Sequence, residues 1–424
     1  MKKYLIILFL FIFSIGCKKQ FEAPVPETKW SAFDSAIAVP LSYNTRQKTE
    51  GIYSFTDGAD GFGDFSALKW SYLINNTDTT FYLSMFCEKQ IAYFICQGKR
   101  VDTNILLNGY WRKMTNTETG KARFTISQKN GAKHLLSAGP FNMNTDSILI
   151  TGAYGNGNDI PDQKITLKYK RPLYNAKPLD ILADRGGGRT SDLLPASENS
   201  VEIIKMASRF GGTGIEIDIR VSSDGVPLLF HDLTLNERII QKNGLLGPIE
   251  NYTFAQLNAL VRLEQGEHIP SLREVLNTVV YNTPLNYVWL DVKYNSSLQA
   301  LRDLQKEFTQ KALAIGRKVD IVIGIPDQAT LTNFLALKDY KESLSLCEMS
   351  LEDVRNVSAH YWAPRWTLGL QNEMVDQMHT EGRKAIVWTL NVPGNVLEFM
   401  NQGRFDGILS NYPSIVAYYY YARQ

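Results

Sequence analysis

Glu216 and Asp218 lie two residues apart in GIEIDIRVSSDGVPLLFHD, the stretch from Gly214 to Asp232. Isoleucines alternate with them, so in a strand both carboxylates point to one side. Two acids facing one way inside an apolar run repel each other and lose hydration. A divalent cation relieves both effects. Asp291 closes a later apolar run, YVWLDVK, and offers a third oxygen. Oxygen donors without cysteine suit one hard ion, Mg²⁺ or Ca²⁺, better than zinc. A single acid of this kind reads better as part of a solvated edge strand. Three acids at strand ends favour the ion. His231 and Asp232 close a second apolar run. Beside such carboxylates, with Arg185 and Lys293 also at strand ends, His231 reads as a proton-transfer group. An arginine and a lysine gathered around a cation indicate an anionic substrate, and phosphate is the usual one for the guanidinium fork.

These residues need elements that bring them together. From about residue 173, short apolar stretches alternate with amphipathic ones. The candidate strands are DILAD, GIEIDIR, VPLLFHD, YVWLDVK, VDIVIGI, SLSLCE, KAIVWTLN and FDGILS. Continuous apolar strands separated by helices imply a parallel sheet covered on both faces. About eight such units in roughly 250 residues predict a TIM (β/α)8 barrel, whose site lies at the C-terminal ends of its strands. In that frame Asp184 and Arg185, Glu216 and Asp218, His231, Asp291 and Lys293, and Trp388 share one mouth. A doubly wound open sheet is the other candidate, but no phosphate-cradling GxGxxG opens the first unit. The fold class is therefore α/β, with the barrel preceded by a smaller all-β, sandwich-like domain over residues 31–172. That earlier region shows short alternating stretches broken by Gly, Asn and Asp. Its DGADGFGD segment offers Asp57, Asp60 and Asp64 to calcium. It lacks the spacing and closing Glu of an EF-hand loop, so it reads as a turn. Trp70 and Trp111 could stack on sugars but read more simply as packing residues.

The first residues, MKKYLIILFLFIFSIGC, have a basic start and an apolar run too short to span a bilayer comfortably. Small residues directly before Cys17 resemble a bacterial lipoprotein processing site. Residues 1–17 are then a leader, Cys17 the lipidated residue, and the polar, proline-bearing residues 18–30 a tether. The expected location is the bacterial cell envelope, exported and anchored to a membrane by lipid, on the periplasmic face or at the outer membrane. Of the three later cysteines, Cys87 and Cys96 flank a predicted hairpin turn at Glu88–Gln90. There Cys87 faces Ile91 and Cys96 faces Tyr82, which argues against a bridge. All three read as buried thiols. The formal net charge of +2, with no basic block, argues against nucleic acid as a partner.

Residues 179–413 resemble the glycerophosphodiester phosphodiesterase family. The likeness runs in order through Asp184-Arg185-Gly186, Glu198-Asn199, Glu216-Ile217-Asp218, Asp224-Gly225-Val226-Pro227 and His231-Asp232. It continues through IPSLREVL, LDVK, VWTLN and FDGILSNYP. The resemblance implies metal on Glu216, Asp218 and Asp291, phosphate contact by Arg185 and Lys293, and proton transfer by His231. It implies hydrolysis of a small phosphodiester to glycerol phosphate and an alcohol. Asp184 stands where the family has its first catalytic histidine. Asp291 stands where the family typically has the longer Glu, and Asn411 where it often has an acid. Asp184 then acts as acid or base, joins the metal, or marks lost catalysis. Trp388 packs against the glycerol carbons or belongs to the barrel core. Two other functions stay open. One is a catalytically impaired barrel that binds an anionic ligand. The other is a related phosphodiesterase acting on phospholipid or polymer.

Overall fold

The computed structural model describes residues 25–142 and 147–424. The leader and Cys17 lie outside the described residues. The first nine strands are β1 (Val39–Pro40), β2 (Gly51–Asp57), β3 (Phe65–Asn75), β4 (Asp78–Cys87), β5 (Ala92–Val101), β6 (Asn104–Lys113), β7 (Thr119–Ile126), β8 (Leu149–Tyr154) and β9 (Gln163–Arg171). From β2 onward each pairs antiparallel with the next, and β9 returns to β2 with Tyr53 opposite Tyr169. The sandwich-like region thus takes the form of a closed up-and-down barrel, which removes its sheet edges. Alternating residues fill the interior. DGADGFGD supplies the plug: Gly58 and Gly63 turn the chain at φ 91° and 98°, and Phe62 enters the barrel with no exposed surface. Its ring lies 4.5 Å from Phe94 and 5.7 Å from Trp111. Cys87 and Cys96 are buried free thiols in the same interior. Cys96 faces Leu83, one residue from the expected register, because Lys89–Ile91 form a 3-10 turn that the simple hairpin did not include.

The second group comprises β10 (Asp180–Ala183), β11 (Gly214–Val221), β12 (Pro227–Leu229), β13 (Tyr287–Val292), β14 (Asp320–Ile325), β15 (Ser345–Cys347), β16 (Tyr361–Trp362), β17 (Lys384–Val387) and β18 (Gly407–Ser410). All but β12 pair in parallel, and β10 joins both β11 and β18, closing the TIM barrel. Helices cover its outside. Leu272–Asn282, for example, is capped by Ser271 Oγ accepting from the Glu274 amide. It buries Leu272, Val275, Leu276 and Val279, the spacing of one helical face.

Two strand assignments need correction. VPLLFHD is not a barrel strand: β12 runs antiparallel to the outer end of β11, with Leu229 opposite Ile219. Its apolar residues are satisfied partly by a satellite core, where Leu228 and Phe230 pack with Leu235, Ile239 and Leu257. Asp291 therefore ends the third barrel strand, not the fourth. The remaining barrel position is filled by β16, only two residues long, which has no apolar run to announce it.

One apolar cluster crosses the seam between the two barrels. Phe86, Tyr93 and Ile95 of the first pack with Phe210, Ala417 and Tyr419 of the second. The Tyr93 and Phe210 rings are 5.5 Å apart, and Tyr419 Oη donates to Glu88 at 2.7 Å. Phe86 is 1% exposed. Phe86→Ala is expected to cost about 3–5 kcal/mol, the usual range for a buried Phe. Calorimetry should show both barrels melting in one transition whose midpoint falls. Two separate transitions would contradict a shared core.

Candidate active site

Glu216, Asp218 and Asp291 converge as their spacing requires. Register places Asp218 directly opposite Asp291, and each of the three acids offers a carboxylate oxygen within 4.8 Å of the others. Glu216 and Asp218 are 3% and 2% exposed, so these acids have little water to share. The Lys293 ammonium reaches between them, 2.5 Å from Asp291 and 3.4 Å from Asp218. Burial pulls that ammonium toward neutrality, but the three facing carboxylates outweigh it and raise its pKa. Asp291 Oδ1 is buried without a hydrogen-bond partner.

The turn after β10 and the segment before the first helix lock this cluster. Arg185 adopts φ 51° and Asn199 φ 59°, and the Asn199 amide donates to the Arg185 carbonyl. The Arg185 amide in turn donates to Glu216 at 2.8 Å. Asn199 Nδ2 donates to Asp218 at 2.8 Å, while the Asp218 amide donates back to Asn199 Oδ1. Glu198, fully buried, accepts from Arg185 at 2.8 Å and from Arg238 at 3.1 Å. Arg238 also holds Asp232 at 2.7 Å, and Asp232 holds His231 Nδ1 at 2.6 Å. A continuous chain of charge therefore joins Arg185 to His231. With Nδ1 engaged, the imidazole has its Nε2 left for chemistry. Burial pushes Asp232 up, but hydrogen bonds from Arg238, His231 and Asn236 hold its pKa well below the carboxylate range.

These groups line one cavity of about 240 Å³ at the C-terminal ends of the strands. Every non-lipid residue predicted for the site borders it: Asp184, Arg185, Glu216, Asp218, His231, Asp291, Lys293 and Trp388. His231 arrives from the loop after β12 rather than from a barrel strand. Trp388 meets Trp289 edge to face at 6.4 Å, and Arg365 stacks on it at 4.6 Å. Two charged lining residues were not anticipated. Arg189 follows a run of three glycines, with no periodic signal. Glu348 ends SLSLCE and carries the same strand-end signal as Asp291; its Oε1 is buried and unpartnered.

A single family model accounts for this arrangement. The model of the glycerophosphoryl diester phosphodiesterase family matches residues 185–415, more than half of the chain. The chain belongs to that family. Among curated relatives, glycerophosphodiester phosphodiesterase 1 of Rattus norvegicus is 33% identical over 151 residues, covering 33% of this chain and 43% of the relative. The chain thus spans less than half the length of that relative. Glycerophosphodiester phosphodiesterase of Caldanaerobacter subterraneus subsp. tengcongensis is 20% identical over 239 residues, covering 55% of this chain and 94% of the relative. Among solved structures, a glycerophosphodiester phosphodiesterase from Parabacteroides distasonis matches at 20% identity and TM-score 0.45, covering 57% of this chain and 96% of its own. An Oleispira antarctica phosphodiesterase in complex with sn-glycerol-3-phosphate matches at 20% identity and TM-score 0.43, covering 57% and 95%.

Asp184 belongs to the same electrostatic cluster as the triad. The Asp184 carboxyl lies beside that of Glu216. Burial, opposed by Arg185 and reinforced by Asp218, leaves the Asp184 pKa raised. Burial and the neighbouring acids push Glu216 well above the usual range, and at Asp291 burial, opposed by Lys293 and reinforced by Asp218, raises the pKa to about 6. In chelator these carboxyls keep protons that an unfolded chain has released above pH ~4. Because the folded state then binds more protons than the unfolded one, stability falls as pH rises from about 4 through 6. A cation bound by the three acids would displace those protons and stabilise the fold most above that window. Thermal midpoints with and without cation, at about pH 5 and about pH 8, should show the larger gain at the higher pH. Equal gains would mean that the cation binds elsewhere.

Proposed function

We propose that the mouth of the second barrel hydrolyses glycerophosphodiesters to glycerol phosphate and an alcohol, with one divalent cation, Mg²⁺ or Ca²⁺. The observation that carries this is the meeting of Glu216, Asp218 and Asp291 within 4.8 Å, beside Arg185 and the His231–Asp232 pair. The donor set fits a hard cation: every ligand is a carboxylate, the acids crowd one another, and Asp291 keeps an unpartnered buried oxygen. When bound, the cation supplies charge neutralisation at the phosphoryl oxygens. Arg185 and Lys293 hold the anionic phosphate. His231, oriented by Asp232, moves a proton through Nε2, and Asp184 is positioned to share that work. Trp388 covers the carbons of the glycerol. The attacking group is a glycerol hydroxyl or water. The names of the curated relatives support the same substrate class.

The leader pattern supports export and attachment through Cys17 at the cell envelope. Among the described residues, no helix is long and apolar enough to cross a membrane. The test is release of glycerol phosphate from a glycerophosphodiester with Mg²⁺, with Ca²⁺ and with chelator. Turnover that depends on added cation supports the proposal. The Asp184 replacement favours a second reading, a barrel that binds anions without turnover. Retained cation binding with no turnover of small or polymeric phosphodiesters would select it.

A further inference from the structure

Two arginines enter the cavity from the turn after β10. Arg185 spends its Nη1 on Glu198 at 2.8 Å. Arg189 is differently placed. Its Nε and Nη2 grip the two oxygens of Asp192 at 3.0 and 2.8 Å, and Nη2 also donates to Tyr412 Oη at 3.0 Å. Tyr412 Oη in turn donates to Asp192 at 3.0 Å. Those bonds occupy one edge of the guanidinium plane. The other edge, Nη1, has no hydrogen-bond acceptor among the described residues, and the side chain borders the cavity. A guanidinium fixed along one edge and free along the other is a preorganised anion receptor.

The other barrel fixes this group. Arg112 of β6 is 1% exposed. Its Nη2 donates to the Leu193 carbonyl at 2.6 Å and the Asp192 carbonyl at 3.3 Å. No carboxylate pairs with it among the described residues, and its Nε is buried without a partner. An interface built for adhesion alone would be made at lower cost by an apolar side chain. The bonds instead pin the backbone of the residue that aims Arg189. Leu193, at φ 53°, turns the chain just after that point.

We propose that Arg189 is a further phosphate-binding group of the site, beside Arg185 and Lys293, and that the N-terminal barrel acts as a positioning element through Arg112. This rests on the phosphodiesterase reading and assigns that first barrel a part in substrate binding.

The test uses the full chain with Arg189→Met, Arg112→Met and both together. Two quantities are read: kcat and KM for a glycerophosphodiester, and calorimetric affinity for sn-glycerol 3-phosphate. Losing a charge-assisted contact should raise KM about tenfold or more in Arg189→Met, with a smaller change in kcat. Arg112→Met should raise KM in the same direction. The double variant should be no worse than Arg189→Met alone, because the two act as one unit. Arg112→Lys keeps a donor for the carbonyls and should recover part of the affinity, which covers the case in which the methionine variant does not fold. Independent, additive losses would overturn the proposal. So would a lowered melting midpoint with KM unchanged in Arg112→Lys and Arg112→Met. If the unmodified chain turns over no glycerophosphodiester, yet sn-glycerol 3-phosphate binding weakens in the same non-additive pattern, the activity reading falls and the anion site stands.

Discussion

Asp218→Asn is expected to remove turnover by about 10³-fold or more while leaving the fold intact, since the cation supplies several kcal/mol of charge stabilisation. Asparagine is nearly isosteric, and its oxygen can still accept from Asn199 Nδ2, which now donates to Asp218 at 2.8 Å. What disappears is one ligand and one negative charge. Asp218 is among the charges that push Glu216, Asp184 and Asp291 upward. Removing it relieves that repulsion, so in chelator the variant should melt no earlier than the parent. It should also lose the gain in melting midpoint that Mg²⁺ or Ca²⁺ gives. Loss of activity with stability kept is the pattern of a functional acid. A variant that keeps turnover, or that unfolds in chelator, would remove the triad from the chemistry.

His231→Gln carries the second large effect. Positioned proton transfer contributes roughly 10²–10⁴-fold, and the glutamine cannot exchange a proton at neutral pH. The loss should fall mainly on kcat, because in the proposed mechanism Arg185 and Lys293 still hold the anion. Asp232→Asn gives the companion measurement. The Nδ1 bond of 2.6 Å anchors the ring, and Asp232 is itself held by Arg238 and Asn236. With the carboxylate gone the ring loses its orientation and its charged partner, so kcat should fall by about 10-fold or more. An unchanged kcat in His231→Gln would place proton transfer on another group.

The site was more legible in the sequence than the elements that carry it. Period two alone put Glu216 and Asp218 on one face, and that geometry holds whatever sheet receives the strand. His231 was legible as a neighbour of the acids but not as a loop residue. The run VPLLF satisfies its apolar demand partly in a satellite core, and composition does not say which core receives a strand. Closure of the first barrel was hidden for a related reason. Alternation looks the same in a sandwich and a barrel, and the deciding pair, Tyr53 opposite Tyr169, is remote in sequence. Arg189 and Arg112 could not be paired in advance, because the bonds that join their segments go to backbone carbonyls, which every residue has. Glu348 bore the same mark as Asp291 and differed only in lacking a family motif around it.

The plugged interior of the first barrel has a consequence for what that barrel can be. Phe62, Phe94, Trp111 and Phe124 occupy the space in which hollow barrels of this strand number carry a guest molecule. It is no ferry for pigments or fatty acids. Its outward staves carry Phe86, Tyr93 and Ile95 into the apolar cluster shared with the second barrel, so the solid cylinder meets its neighbour as a strut.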